Sequence, residues 1–305
     1  TGSGKTTLVD SILYKLGVND RFGSTDDGTS MADYTDEEKE RKISLWAKPF
    51  EGLYKNKKSE QYSLVMLDTP GYADFMGQML AGSSVADAAL ITIDATGGIE
   101  VGTNRAWRHC QKAGLPAAIV VTGVNKENAD FYATLENLQS VWGNKCAPMA
   151  IMTEDHSRIV DVLDPEDVPA ELADRLEELK GSLVEFAAET DDSLIEKYLG
   201  GEELTREEIV TGLRAAVQAG GVVPVFCVAT KDDMGVDALL DDVCKLFPSP
   251  ADREVADAEG NPVDTSPSAP FVGHVWRSVN DPFVRQMTFV RVYGGTLKAD
   301  AEVQN

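Results

Sequence analysis

The stretch LVMLDTPGYADF, residues 64–75, joins an apolar run to a turn that contains an aspartate and a glycine. A short apolar run bounded by turn residues predicts a buried strand. The Asp68-x-x-Gly71 sequence that follows places a carboxylate and an unhindered backbone N–H at the end of this strand. A carboxylate suits the water shell of Mg²⁺, and a glycine N–H can approach a phosphate oxygen. We therefore predict that this turn senses a bound phosphate.

The first seven residues, TGSGKTT, match the end of the pattern G-x-x-x-x-G-K-[ST], whose first glycine would precede Thr1. In this pattern, backbone N–H groups at a helix N-terminus and the lysine ammonium hold the β- and γ-phosphates of a nucleotide. The hydroxyl after the lysine binds Mg²⁺. Since ATPases share the pattern, it does not identify the base. The predicted nucleotide-binding residues here are Gly2, Ser3, Gly4, Lys5, Thr6 and Thr7.

Between these two motifs lies a polar, charged stretch, residues 19–42, that predicts a mobile loop with a short helix. The sequence RKIS, residues 41–44, overlaps the end of this stretch, and its serine could supply a second hydroxyl to the metal. Ser44 could equally be the first residue of an edge strand, and the residues alone leave both readings open. The predicted metal-site residues are Thr6, Ser44 and Asp68.

A candidate base-recognition motif follows the apolar run at 120–124, where the chain reads NKEN over residues 125–128. Guanine recognition by Asn-Lys-x-Asp uses the aspartate to accept two N–H bonds, and the lysine stem stacks on the base. Asn128 replaces that aspartate, and losing a charge-assisted bond costs on the order of 1.5–3 kcal/mol. The amide would weaken discrimination against xanthine; alternatively, Asn128 is a surface-turn residue. Further base contacts are predicted from Asn125, Lys126, Ala229 and Thr230.

Strands alternate with helices along the chain, which is typical of a doubly wound α/β fold with a parallel sheet. We expect a hairpin turn at 55–60. The strands are expected at 44–50, 63–68, 88–94, 117–124 and 222–228. The helices are expected at 8–16, 36–41, 76–84, 103–113 and 236–247.

The alternation is interrupted at residues 151–221, where acidic helical segments at 171–190 and 205–219 predict an insert. We assign residues 1–250 to a nucleotide-binding domain that contains this insert. Residues 251–270 are rich in Asp, Pro and Ser and predict a linker. Residues 271–305 alternate as strands do, and we expect them to begin a second, β-barrel domain that is incomplete in this sequence.

The composition limits the kinds of molecule and site that this protein is expected to have. A net charge of −23 over 305 residues argues against a broad nucleic-acid footprint, because phosphate backbones repel acidic surfaces. No apolar run reaches the roughly 18 residues of a membrane span. The four cysteines show no CxxC spacing, which suits a reducing cytosol and argues against a zinc site or a disulfide framework.

Together with the nucleotide motifs, three other blocks make the chain similar to the translational GTPases, and within them to elongation factor G. They are LIEKYLGGEELT (194–205), the segment 235–250 ending in LFPSP, and DPF (281–283) with FVRVYGG (289–295). The resemblance covers nearly the whole chain. It implies a G domain over residues 1–250 that binds GTP or GDP with Mg²⁺ and hydrolyses GTP.

The resemblance also implies a five-domain parent protein that binds the ribosome and drives tRNA–mRNA translocation. Its partners would include rRNA and the stalk proteins, which the insert of this family meets. A cytoplasmic monomer without membrane association is expected. In the implied hydrolysis, water attacks the γ-phosphate in line, and the catalytic residues would be Lys5, Gly71 and Tyr72.

Four positions depart from the family pattern and suggest a divergent paralogue. The family has a histidine where this chain has Tyr72, and a phenol cannot become a cation near neutral pH as an imidazole can. Threonine becomes Ser44, aspartate becomes Asn128, and Ser-Ala becomes Ala229-Thr230. Losing the water-orienting group would slow hydrolysis by about 10²–10³-fold. The alternatives are a nucleotide-gated ribosome-binding protein with little or no hydrolysis, and a ribosomal protection protein.

Overall fold

A computed structural model describes residues 2–257, 259–281 and 285–304. Pro282 and Phe283, which belong to one block of the resemblance, lie outside these residues. The described part contains ten strands: β1 (Lys48–Lys55), β2 (Gln61–Asp68), β3 (Ala89–Asp94), β4 (Ala117–Thr122), β5 (Cys146–Pro148), β6 (Ala150–Met152), β7 (Ile159–Asp161), β8 (Val223–Val228), β9 (Val272–Asp281) and β10 (Arg285–Gly294). It also contains nine α-helices: α1 (Lys5–Lys15), α2 (Asp36–Arg41), α3 (Met76–Ser83), α4 (Val101–Ala113), α5 (Phe131–Trp142), α6 (Ala173–Ala188), α7 (Asp192–Leu199), α8 (Arg206–Gln218) and α9 (Val236–Leu246).

A parallel sheet with the strand order β3-β4-β8-β5 lies at the centre, which confirms the predicted α/β class. Every residue of β4 and β8 is buried, as expected for apolar strands covered on both faces. The register pairs Asp94 with Thr122 and Thr122 with Val228, so three strands end at one edge. Ligands of open α/β sheets bind at the carboxyl ends of the strands, and this edge positions the candidate site.

β1 and β2 form an antiparallel hairpin in which Lys48 pairs with Asp68. Its turn matches the predicted one, since Ser59 N–H donates to the Asn56 carbonyl at 2.9 Å. The predicted start of the first strand at Ser44 is wrong, because β1 begins at Lys48. Residues 44–47 instead form a loop whose backbone bonds go to side chains, including Ala47 N–H to Gln78 Oε1 at 3.1 Å.

The acidic region expected to form an insert folds as the β6-β7 hairpin followed by α6, α7 and α8. α6 and α8 pack closely, since a Cβ built on Gly212 would lie 2.4 Å from the carbonyl oxygen of Ala187. α5 and α7 were not predicted. α7 begins where the Asp191 carboxylate caps the N–H groups of residues 193 and 194.

At the C-terminal end, β9 and β10 form an antiparallel hairpin that contacts the α/β unit. Arg291 donates to both carboxylate oxygens of Asp87, at 2.7 and 2.9 Å, and to the carbonyl of Val85. Arg277 donates to the carbonyl of Ala47. The hairpin is thereby attached both to the segment before β3 and to the loop that carries Ser44. No helix in the described ranges is long and apolar enough to cross a lipid bilayer.

Candidate functional site

The loop before α1 has the backbone shape of an anion site. Gly2 and Gly4 both have a left-handed φ, of 73° and 72°, which glycine adopts without a Cβ clash. Gly4 also lies against the end of β4, because an added Cβ would be 3.0 Å from Thr122 Oγ1. Thr122 Oγ1 donates to the Ser3 carbonyl at 3.1 Å. These contacts hold the loop in place at the start of α1. The first backbone N–H groups of a helix have no partner within the helix, so they can donate to a phosphate bound here.

Lys5 lies at this helix start with its ammonium directed into the site. Its Nζ donates to Ser3 Oγ at 3.2 Å, and Ser3 Oγ lies 2.9 Å from Thr92 Oγ1 on β3. Burial lowers the pKa of Lys5, while the carboxylates of Asp68 and Glu100 oppose that shift. A desolvated ammonium held by a hydroxyl and by nearby negative charge can neutralise phosphate oxygens.

Thr6, Ser44 and Asp68, which are separated widely in sequence, meet at one point. Thr6 Oγ1 lies 2.9 Å from Ser44 Oγ and donates to Asp68 Oδ2 at 3.3 Å. Burial, followed by the charge of Asp33, raises the pKa of Asp68 to about 7. Two hydroxyls and a buried carboxylate are hard oxygen donors of the type that Mg²⁺ prefers, so these residues fit the metal.

The loop that carries Ser44 is held by a buried charge cluster, the Lys48 cluster, which consists of Asp33, Glu38 and Lys48. Lys48 Nζ donates to Glu38 Oε2 at 2.5 Å and lies 3.5 Å from Asp33 Oδ1. Glu38 also accepts from the Leu45 N–H at 2.9 Å. Burial raises the pKa of Glu38, but these hydrogen bonds outweigh it and leave that pKa below its usual value.

The Lys48 cluster adjoins the metal site through Asp33. Burial raises the pKa of Asp33, and the nearby Ser44 hydroxyl opposes that shift. Sequence reasoning missed all three members. Asp33 and Glu38 lie in a charged loop, where acidic side chains are usually exposed to solvent. Lys48 lies in a predicted strand, where a lysine is usually expected on the solvent-facing side. The available signal was Lys48 itself, since it occupies an alternating strand position beside apolar residues.

Gly71 and Tyr72 follow the end of β2, as predicted. Tyr72 precedes a short 3₁₀ turn, and the N–H of Phe75 donates to its carbonyl at 3.1 Å. Tyr72 is 44% exposed. A phenol hydroxyl both donates and accepts hydrogen bonds and can hold a water molecule.

The two loops predicted to meet the base lie side by side after β4 and β8. Gly123 N–H donates to the Val228 carbonyl at 3.0 Å. Farther out, the Asn125 side-chain amide donates to the Asp232 carboxylate. Ala229 and Thr230 are buried between these two contacts. The structure therefore brings Asn125 to the second loop, through an aspartate that sequence reasoning did not identify.

Lys126 packs against this pair of loops, whereas Asn128 lies outside it. The Lys126 stem crosses Gly123, where an added Cβ would lie 2.6 Å from Lys126 Cε, and the ammonium pairs with Asp94. Asn128 is exposed and has a φ of 65° in the turn that leads to α5. Left-handed backbone is tolerated by asparagine in turns. Lys126 thus lies over the loop, and Asn128 lies beyond it.

Known proteins resemble this chain over nearly its whole length. The model of the elongation factor Tu GTP binding domain family matches residues 1–249. Elongation factor G of Fervidobacterium nodosum is 31% identical over 326 residues, covering 99% of this chain and 46% of the relative. Elongation factor G of Ureaplasma urealyticum serovar 10 is 32% identical over 326 residues, covering 99% and 47% respectively. The chain therefore spans about half the length of these relatives.

A crystal structure of a protein from Thermus thermophilus shares the fold with a TM-score of 0.85 at 33% identity. The match covers 97% of this chain and 44% of that chain. The similarity extends past residue 250, so it includes the C-terminal hairpin as well as the α/β unit.

Proposed function

Because the chain belongs to the elongation factor Tu GTP binding domain family and is a GTPase, we propose that it carries the nucleotide-operated part of a ribosome-associated translation factor. The whole protein would promote tRNA–mRNA translocation in the cytoplasm as a monomer, in contact with rRNA and the stalk proteins. The observation that carries this proposal is the convergence of Thr6, Ser44 and Asp68 beside Lys5.

GTP would bind with its phosphates on the loop formed by residues 2–7. The Lys5 ammonium and the N–H groups at the start of α1 would neutralise the β- and γ-phosphates. Thr6, Ser44 and Asp68 would hold Mg²⁺, which supplies charge neutralisation on the phosphates when bound. Asp33 would add negative charge beside this point, since its charge acts on Asp68.

Hydrolysis would be an in-line attack of water on the γ-phosphorus. The Gly71 N–H would contact the γ-phosphate, and the Tyr72 hydroxyl would orient the water. Because the phenol adds no positive charge, it would stabilise the transition state less than an imidazolium does. We therefore expect slow hydrolysis that depends on the ribosome.

A second candidate is a nucleotide-gated ribosome-binding protein that hydrolyses little or no GTP. The observation that favours it is Tyr72, an exposed phenol at the position of the water-orienting group. In that case nucleotide exchange would release the protein from the ribosome.

The test is GTP hydrolysis by the full-length protein with and without 70S ribosomes, beside Tyr72→His. We expect ribosomes to stimulate the wild type, and the histidine to raise the stimulated rate by about 10²–10³-fold. Tyr14→His is the matched control, since it replaces a tyrosine of similar exposure in the last turn of α1, outside both the insert and the predicted site residues. It should leave the rate unchanged.

Two outcomes would decide between the candidates. A wild type that ribosomes do not stimulate, with activity gained in Tyr72→His, would favour the nucleotide-gated binding protein. A wild type as fast on ribosomes as Tyr72→His would refute the weak role given to Tyr72 and leave a fully active GTPase.

A further inference from the structure

Residues 30–47, which we call the anchored segment, are attached near both ends to buried side chains. At the first end, the Asp10 carboxylate accepts the N–H groups of Met31 and Ala32 at 2.9 and 3.2 Å. Asp10 is 1% exposed and lies on α1 one turn after Thr6, so the two share a face of the helix. The helix that supplies Thr6 to the metal site therefore also holds the start of the anchored segment.

Lys48, the residue directly after the anchored segment, binds the segment at two further points. An ammonium group has three N–H donors. Here they meet the Ala32 carbonyl, the Glu38 carboxylate and, at 3.5 Å, the Asp33 carboxylate. The same nitrogen lies 4.7 Å from the centre of the Tyr34 ring. One side chain of β1 thus uses all three of its donors within the anchored segment.

These contacts reach the two metal-site residues that lie outside α1. The Glu38 carboxylate accepts the N–H of Leu45, the residue after Ser44, at 2.9 Å. The backbone of Lys48 is paired with that of Asp68 in the β1-β2 hairpin. Lys48 therefore connects the backbone that carries Ser44 to the strand that carries Asp68.

The attachment is strong because its charges are buried. Lys48 is 2% exposed and Glu38 is fully buried, so opening the segment would separate two charges that have little other solvation. In many GTPases the corresponding kind of segment is ordered by Mg²⁺ and the γ-phosphate and released on hydrolysis. The anchored segment is bonded instead to groups of the chain itself.

We infer that Lys48 is a positioning residue that holds the anchored segment, with Ser44, in its metal-binding arrangement before any nucleotide binds. Mg²⁺ and nucleotide then add contacts to a segment that is already ordered, and loss of the γ-phosphate leaves it in place. This inference goes beyond the proposed function and rests on it only in that a guanine nucleotide is the ligand.

The experiment is amide hydrogen exchange of the full-length protein, either nucleotide-free or bound to Mg²⁺ with GDP or a non-hydrolysable GTP analogue. In wild type, we expect exchange at residues 30–47 to differ by less than about 10-fold among the three states, and a larger difference would overturn the inference. In nucleotide-free Lys48→Met, exchange there should be about 10²–10³-fold faster than in wild type. The GTP analogue should restore most of the protection.

The control is Lys245→Met, which removes the cation beside the buried carboxylate of Asp242 on α9. It tests the loss of a buried ion pair elsewhere and should leave exchange at residues 30–47 unchanged. If Lys48→Met sped exchange equally with and without nucleotide, Lys48 would only stabilise the fold and the inference would be wrong.

A second variant keeps the test available if Lys48→Met is too unstable to study. Glu38→Gln combined with Lys48→Met leaves no unpaired glutamate, and its exchange should show the same dependence on nucleotide. The readout needs neither a ribosome nor hydrolysis. A wild type that binds no guanine nucleotide would refute the proposed function, whereas the effect of Lys48→Met on the nucleotide-free protein would remain.

Discussion

The phosphate half and the base half of the site lie at the same edge of one sheet, yet they are built differently. The phosphate half depends on backbone N–H groups, on glycines with left-handed φ, and on buried groups such as Asp68. The loops predicted to meet the base instead present exposed or half-buried side chains, such as those of Asn125 and Asp232. Backbone geometry tolerates few residue types, whereas loop side chains can exchange roles if the acceptors remain in place. The two halves should therefore respond differently to substitution.

The largest effect is expected where the phosphate half is supported by buried charge. Lys48→Met would leave Glu38 and Asp33 without their cation, and removing one partner of a buried ion pair typically costs about 3–5 kcal/mol. We expect that loss in the free energy of unfolding in urea. The methionine keeps most of the side-chain volume, so packing changes little.

Lys57→Met is the control, since Lys57 forms an exposed pair with Glu166 and should change stability by less than about 1 kcal/mol. If Lys48→Met were as stable as this control, the phosphate half would not depend on its buried charges. The phosphate half and the base half would then not differ in their dependence on buried charge.

A smaller effect is expected at the contact between the C-terminal hairpin and the loop that carries Ser44. Arg277 donates to the Ala47 carbonyl, and its guanidinium lies 5.6 Å from the centre of the Trp46 ring. Arg277→Ala removes both contacts and should speed amide hydrogen exchange at residues 44–47 by about 5- to 30-fold, equivalent to about 1–2 kcal/mol.

Arg291→Ala serves as the comparison for this experiment. It cuts the second attachment of the hairpin, to Asp87 and Val85, without touching the loop. Equal exchange at 44–47 in the two variants would mean that the loop responds to the hairpin as a whole and not to Arg277.

Much of the fold could be predicted from sequence because its signals are local. β4 and β8 are apolar runs, and α2 begins and ends where its cap and charges predict, at Asp36 and Arg41. α5 was missed although its buried residues Phe131, Thr134, Leu135 and Leu138 follow the helical spacing i, i+3, i+4, i+7. α7 was missed although the Asp191 cap marks its start. The false strand start at Ser44 arose because residues 44–50 alternate like a strand, although tertiary bonds hold residues 44–47 as a loop.

The site could be predicted only where a motif fixes it. The phosphate loop and Asp68 follow contiguous patterns, and the structure brings Thr6, Ser44 and Asp68 together. Lys48 and Asp232 contact partners 10 and 107 residues away in sequence, so no local pattern identifies those partners. The base contact predicted for Asn128 rests on a short motif alone, and the structure places this residue in an exposed turn.

The smallest effect is expected at Asp242, a buried carboxylate outside the predicted site. Asp242 on α9 resembles Asp68, since burial and then the charge of Asp161 raise its pKa to about 7, from 3.8. One of its oxygens, Oδ2, has no hydrogen-bond partner among the described residues, and Lys245 contacts the other at 3.3 Å. Unlike Asp68, it adjoins no predicted nucleotide-binding residue.

The folded state therefore binds a proton at Asp242 more tightly than the unfolded state does. Stability is highest below about pH 4 for this group and falls as pH rises toward 7. Asp242→Asn removes the charge and should raise the free energy of unfolding at pH 8 by on the order of 1 kcal/mol, with less gain at pH 5. Thermal unfolding at both pH values measures this difference. A loss of stability at pH 8 would show that Asp242 is held as a needed anion, as we expect for Asp68 in the phosphate half.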